Sequence, residues 1–288
     1  MLVFRLKLFT IFIIISSVTA CIEDVISYKN TILESNQLLD YLDLDKLLKK
    51  KNLFNQKPEI KNVIEFGCGT GWLTNTLGHY YKKKVTAVDF TKKAVNIASE
   101  VNKKLKLDSL FFNSNIFEYN DEKKYDLVIS MGVLHHTFDC KKAFEKIINF
   151  LKPGGYVYVG LYHYYGRKPM LNLLQGHARW FGDDYSYDLF KKMNSSMSDE
   201  KQNYSWFRDQ VLHPRETQHT LLEVMEWLNE NSLVLQSTSI NNYQNLENFS
   251  SQDLDKLEKN LEISSNKTNQ IDFKFNPGFF TFCAKKPY

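Results

Sequence analysis

Three glycines spaced two apart follow an apolar, strand-like run and an acidic residue: residues 62–71 read Asn-Val-Ile-Glu-Phe-Gly-Cys-Gly-Thr-Gly. Gly67, Gly69 and Gly71 lack a Cβ, so the chain can turn sharply from strand to helix there and lie directly against a ligand. A helix beginning near Trp72 would aim its free amides and the positive end of its dipole at an anionic group. A second apolar run, Lys84 to Val88, ends in Asp89, which is placed to accept hydrogen bonds from two ribose hydroxyls. Together the turn and the acid predict a nucleoside-type ligand. Dinucleotide enzymes usually space these glycines G-x-G-x-x-G, whereas here the spacing is G-x-G-x-G, which disfavours a nicotinamide oxidoreductase.

After Pro58 the pattern alternates: strand 62–66, helix from 72, strand 84–88, helix 92–104, strands 110–112 and 125–130, helix 140–151, strand 155–162. Alternation of this kind implies a parallel, doubly wound α/β sheet. Asp139 reads as the N-cap of the 140–151 helix, and Lys152-Pro153-Gly154-Gly155 as its stop. Residues 163–216 show no clean period. Thr220 with Glu223 three residues on reads as a capping box opening a helix over 221–228, and 232–240 and 279–284 read as strands. Residues 241–270, rich in Asn, Ser, Asp and Lys, are expected to be a surface insertion with one short helix. The organisation expected is a hydrophobic segment 1–22, a helical cover 23–60, a ligand-binding core 61–162, an insertion 163–219 and a C-terminal part 220–288.

A net charge of +4 from 37 basic and 33 acidic residues is small, and no basic block is interleaved with aromatics, so a nucleic-acid partner is not expected. Cys21, Cys68, Cys140 and Cys283 have no metal-ligand spacing and read as free thiols of a cytoplasmic chain. The N-terminus pulls the other way. Arg5 and Lys7 precede an uncharged run, residues 8–22, whose end Val18-Thr19-Ala20-Cys21 resembles a bacterial lipoprotein cleavage box. Four readings stand open for it: a secretory signal, a membrane anchor, a buried helix and a start-site artefact. Membrane association, if it occurs, is expected through residues 8–22.

With Glu65 two residues before the first glycine, the turn resembles motif I of the class I S-adenosylmethionine-dependent methyltransferases, a resemblance covering about residues 60–165. It implies a Rossmann-like, doubly wound, seven-stranded, mostly parallel sheet whose last strand is antiparallel, with S-adenosylmethionine as cofactor. It also implies cofactor-binding roles for Glu65 and Gly71, for Gly67 and Gly69 against the cofactor's methionine end, for Asp89 on the ribose and for Phe90 on the adenine. Asn115-Ile116 occupies the place where relatives have Asp followed by an apolar residue. The Asn carbonyl can still accept from the adenine amino group, or it can close an Asx turn. Residues 125–130 run into Met131-Gly132-Val133-Leu134-His135-His136, which resembles the Leu-His-His motif of small-molecule methyltransferases and implies that Ser130 or Met131 offers a carbonyl to the cofactor's ammonium group. Neither Asn-Pro-Pro-Tyr nor Pro-Cys stands there, which counts against DNA base methyltransferases.

His136 and His163 are the candidate general bases, each with packing as the alternative. A metal held by His135 and His136 is not expected, because adjacent histidines rarely face one ion and no third ligand is visible. Gly160 to Arg167, Trp206 to Gln210 and His213 to Thr220 resemble segments of a methyltransferase subgroup. Tyr164, Tyr165, Arg167, Arg208, His213 and His219 are accordingly expected to line a site for a planar or anionic small molecule. The competing reading makes His213, Glu216 and His219 a structural network. The expected activity is methyl transfer to an oxygen or nitrogen of a small molecule, against a catalytically silent, membrane-tethered cofactor-binding or assembly protein.

Overall fold

A computed structural model describes residues 60–195, 199–243 and 250–288. Short apolar runs such as Val63 to Phe66, Val85 to Val88 and Leu127 to Ser130 are buried along their whole length. Such strands need cover on both faces. They are met in β1 (Asn62–Phe66), β2 (Lys84–Asp89), β3 (Leu110–Asn113), β4 (Tyr125–Met131), β5 (Leu151–Tyr162), β6 (Val234–Thr238) and β7 (Phe279–Lys285). These form one seven-stranded sheet in the order β3-β2-β1-β4-β5-β7-β6. β1 pairs in parallel with β2 and β4, and β2 with β3, whereas β7 is antiparallel to β6. The Rossmann-like sheet expected from the sequence is therefore present, antiparallel last strand included.

The chain divides into two compact units. One comprises the residues up to Met131, Lys142–Tyr158 and Lys286–Tyr288; the other comprises Gly132–Lys141 and Val159–Lys285. In the first unit, α1 (Trp72–Tyr81) and α2 (Lys92–Lys104) flank the strands. α2 buries Ala94, Val95, Ala98, Val101 and Asn102, one stripe at helical period. α3 (Cys140–Ile148) ends earlier than the 151 expected, and Lys152 to Gly155 fall within the bounds of β5. The end of the chain pairs with this stretch: Gly154 N–H donates to Lys286 O at 2.9 Å and Lys286 N–H to Gly155 O at 2.9 Å, while Gly154 keeps the left-handed φ of 77° that suits a turn glycine.

The second unit contains what the sequence left patternless. Residues 163–216 are largely helical, in α4 (Tyr164–Phe181), α5 (Asp183–Met193) and α6 (Glu200–Gln210). Their core is aromatic: Phe190 meets Trp206 edge-on at 5.5 Å and packs on Phe207 at 5.6 Å, all three fully buried. α7 (Leu221–Glu230) starts where Thr220 Oγ1 accepts the Glu223 N–H at 3.0 Å, one half of the expected capping box; the Glu223 carboxylate meets His219 Nδ1 instead. The polar stretch 241–270 differs from a surface insertion with one short helix: α8 (Ser251–Asn266) has 16 residues and buries Leu254, Glu258 and Ser265. The expected segment 1–22 and nearly all of the cover 23–60 lie outside the described residues. No helix among the described residues is long and apolar enough to cross a membrane.

Candidate functional site

In the first unit the strand register brings the expected ligand-binding residues to one end of the sheet. Phe66 is level with Val88, and Asp89 with Asn113, while Glu65 pairs with Ile129 next to Ser130. This is also where the strand order reverses, between β1 and β4, the usual position of a ligand crevice in an open α/β sheet. Gly67, Gly69 and Gly71 have φ values of 77°, 53° and 78°. All three lie in the left-handed region that disfavours any side chain. Gly71 is also sterically required, since a Cβ there would lie 2.5 Å from Ala98 Cβ.

Asp89 holds the turn together. Its Oδ2 accepts the Gly69 N–H and its Oδ1 the Thr91 N–H, each at 2.8 Å. Gly67 N–H donates to Val88 O at 2.7 Å. The glycines thus contribute close approach more than free amides. A carboxylate has about four acceptor positions, so two of Asp89's remain for a diol. Thr70 Oγ1, at the middle of the turn, is buried without a hydrogen-bond partner, and α1 begins at Gly71 with no side-chain cap. A buried orphan hydroxyl and uncapped helix amides around a glycine cradle fit a polar ligand with an anionic end.

Glu65 is buried and accepts a hydrogen bond from Thr74 Oγ1. Burial raises its pKa to about 7, against 4.5 ordinarily, and Asp89 nearby adds to the rise. Ser130 is fully buried and spends its hydroxyl on Phe66 O at 3.0 Å. Phe90 is 78% exposed at the rim, and Ile116 is buried. Asn115 is exposed and its Oδ1 accepts the Phe117 N–H at 3.0 Å, so the Asx turn is the reading the structure realises.

The second unit carries the other candidates, and it corrects several of them. His163 is buried; its Nδ1 accepts the Gly166 N–H at 3.1 Å, which puts the proton on Nε2, 2.7 Å from Glu258 Oε1. No lone pair remains to act as a base. Arg167 is fully buried and not open to a substrate. Its Nε and Nη2 form a bidentate pair with Glu216, Nη1 donates to Gln210 Oε1 at 3.2 Å and Pro277 O at 3.0 Å, and Nη2 also donates to Gln210 O at 2.8 Å. All five N–H donors are used, and the guanidinium lies 3.4 Å from the Tyr162 ring centroid. His219 is likewise tied at both nitrogens, to Glu223 Oε2 at 3.0 Å and Thr217 Oγ1 at 2.8 Å. Arg167, Glu216 and His219 are therefore tied within the fold; of the network His213, Glu216 and His219 in the competing reading, these bonds join Glu216 and His219 to other residues and leave His213 out.

His136 differs. It sits half-buried in a single 3-10 turn, Leu134–His136, directly after β4. Its Nδ1 donates to Arg215 O at 3.0 Å, leaving the Nε2 lone pair. Burial holds its pKa below the ordinary 6.5, so the ring is neutral at pH 7. The His213 ring packs on it at 4.0 Å. Tyr164 and Arg208 are exposed and Tyr165 is half-buried. The sequence reading missed Thr70 and Thr74 beside the glycine turn, Gln210 and Glu258 among the buried polar ties, and the half-buried Asp209. Asp209 had one usable signal, its spacing of four from His213 at a helix end.

A family model described as a methyltransferase domain matches residues 59–272. Among curated relatives, the malonyl-[acyl-carrier protein] O-methyltransferase 2 of Ilyobacter polytropus is 30% identical over 101 residues, 34% of this chain and 38% of its own. The chain thus spans less than half the length of that relative. Among solved structures, an S-adenosylmethionine-dependent methyltransferase from Clostridium acetobutylicum is 16% identical with a TM-score of 0.54, covering 93% of this chain and 100% of its own. PKMT2 from Rickettsia typhi in complex with AdoHcy is 17% identical with a TM-score of 0.54, covering 78% of this chain and 48% of its own. At these identities the likeness is one of fold.

Proposed function

Because the chain belongs to the methyltransferase domain family and has the class I fold, we propose that it transfers a methyl group from S-adenosylmethionine to an oxygen or nitrogen of a small molecule, with oxygen the better fit. The observation that carries this reading is the turn Gly67 to Gly71, three left-handed glycines clasped by Asp89, at the point where the strand order reverses. When bound, the cofactor supplies a methyl group activated on a sulfonium, and the protein's part is alignment and exclusion of water. Asp89 would hold the ribose with its two remaining acceptor positions, the uncapped start of α1 and Thr70 would take the methionine end, and Phe90 would cover the adenine.

Oxygen is favoured for two reasons. The curated relative from Ilyobacter polytropus is named an O-methyltransferase. A hydroxyl acceptor must also lose a proton as it is methylated, and His136 is neutral at pH 7 with Nε2 as an acceptor. The test is turnover by the full chain with S-adenosylmethionine against fractions of a pooled small-molecule extract, read as S-adenosylhomocysteine. Extract-dependent product is expected, lowered by about 100-fold in His136→Ala with cofactor affinity kept. No product from a chain that binds the cofactor would instead favour a silent binding protein.

A further inference from the structure

We propose that His136, Asp209 and His213 form a binding site for one divalent transition-metal ion. One ligand atom from each lies within 4.8 Å of the others. Bonds of about 2.0–2.2 Å to an ion at their centre need separations near about 3.3 Å, so closing the site takes only small side-chain movements. The three come from two places in the chain. His136 is set by its 3-10 turn, and the helical bonding of α6 continues to Leu212, whose N–H donates to Arg208 O at 3.2 Å. His213 follows directly, four residues after Asp209, just past the end of α6.

The surroundings are those a metal site needs. His136 donates its Nδ1–H to Arg215 O at 3.0 Å, which fixes the tautomer and presents Nε2 as the ligand. Asp209 Oδ2 accepts from Gln210 Nε2 at 2.9 Å, which orients the carboxylate. His213 Nδ1 accepts the Arg215 N–H at 3.2 Å, a long bond between accessible groups that ion binding can displace or reorganise. An independent observation is His135. It is fully buried, neither ring nitrogen has a hydrogen-bond partner, and its ring lies 4.3 Å from that of His136. A buried imidazole with no partner calls for a ligand or ordered water beside it, and an ion carrying water at its open positions supplies one. Two imidazoles and a single carboxylate suit zinc, cobalt or iron(II) rather than magnesium or calcium, which take oxygen ligands.

An ion here takes the same His136 lone pair that would accept the proton of a hydroxyl acceptor, so the two uses exclude each other, and the ion-free chain is the form in which His136 is a base. The site itself does not depend on the methyl-transfer reading, and its test reads binding alone. Full-length chain, stripped with a chelator, is titrated with cobalt(II) and followed by its visible d–d absorption. One cobalt per chain, displaced by one equivalent of zinc, is expected. His213→Ala and Asp209→Asn should each weaken binding on the order of 100-fold, with unchanged far-UV circular dichroism. Asn keeps an oxygen for Gln210, so Asp209→Asn separates loss of a ligand from loss of folding. A folded chain that gives no cobalt spectrum, or a spectrum undiminished in both variants, overturns the site.

Discussion

Arg167 looks in sequence like a group for an anionic substrate, and its surroundings turn that into a stability prediction. In Arg167→Met the Glu216 carboxylate, 9% exposed, loses its bidentate partner, and Gln210 Oε1, Gln210 O and Pro277 O lose a donor. Removing one member of a buried ion pair costs about 3–5 kcal/mol, because the other charge is left unpaired. That is a large fraction of the roughly 5–15 kcal/mol that keeps a typical domain folded. At about 2–4 °C per kcal/mol for a chain of this size, the midpoint should fall by about 6–20 °C. The assay is urea unfolding of the wild type, Arg167→Met, Glu216→Gln and the double variant. The buried-pair account requires a coupling energy of about 2 kcal/mol or more, with the double variant more stable than the sum of the singles implies. A loss under about 1 kcal/mol in Arg167→Met, with additive singles, would refute it and return Arg167 to the list of substrate contacts.

Gly71→Ala should destabilise the chain by about 2–5 kcal/mol, combining the cost of a left-handed non-glycine residue with overpacking against Ala98; a midpoint shift in urea equivalent to less than about 1 kcal/mol would show that the turn is not rigid. Glu65 gives a pH dependence of defined sign. Its native pKa of about 7 lies above the ordinary 4.5, so between those values the native state holds a proton that the unfolded chain has released. Its contribution is fully present below pH 4.5 and is lost as pH rises through 7, about 3 kcal/mol in all. The stability difference between wild type and Glu65→Gln should therefore shrink with rising pH over that window, and a pH-independent difference would mean Glu65 is ionised throughout.

The glycine turn, β1 to β4 and the first two helices were legible because their signals are local: left-handed glycines, short apolar runs and a helical stripe. Residues 163–216 were not, because Gly166, Pro169 and Gly176 read as helix breakers within what is one continuous α4, and the aromatic faces of α5 and α6 bury against one another without one clean period. The polar stretch 241–270 misled for a different reason. Glu258 reads as a solvated charge, yet its carboxylate accepts the Leu221 and Leu222 amides at the start of α7 and meets His163 Nε2 at 2.7 Å. An anion at a helix N-terminus is stabilised by the dipole and the unpaired amides, and only the tertiary fold brings the two together. The same applies to Arg167 and His163: their residue types suggest chemistry, but Glu216 and Glu258 lie tens of residues away. Asp209 and His213 were within reach of a search for ligands four residues apart.

The most direct test of the central claim is calorimetric titration of the full chain and of Asp89→Ala with S-adenosylmethionine, S-adenosylhomocysteine and NAD. Micromolar binding of both S-adenosyl compounds, lost in Asp89→Ala and absent for NAD, is the predicted result. A folded chain that binds neither S-adenosyl compound, or that binds NAD instead, would contradict the account.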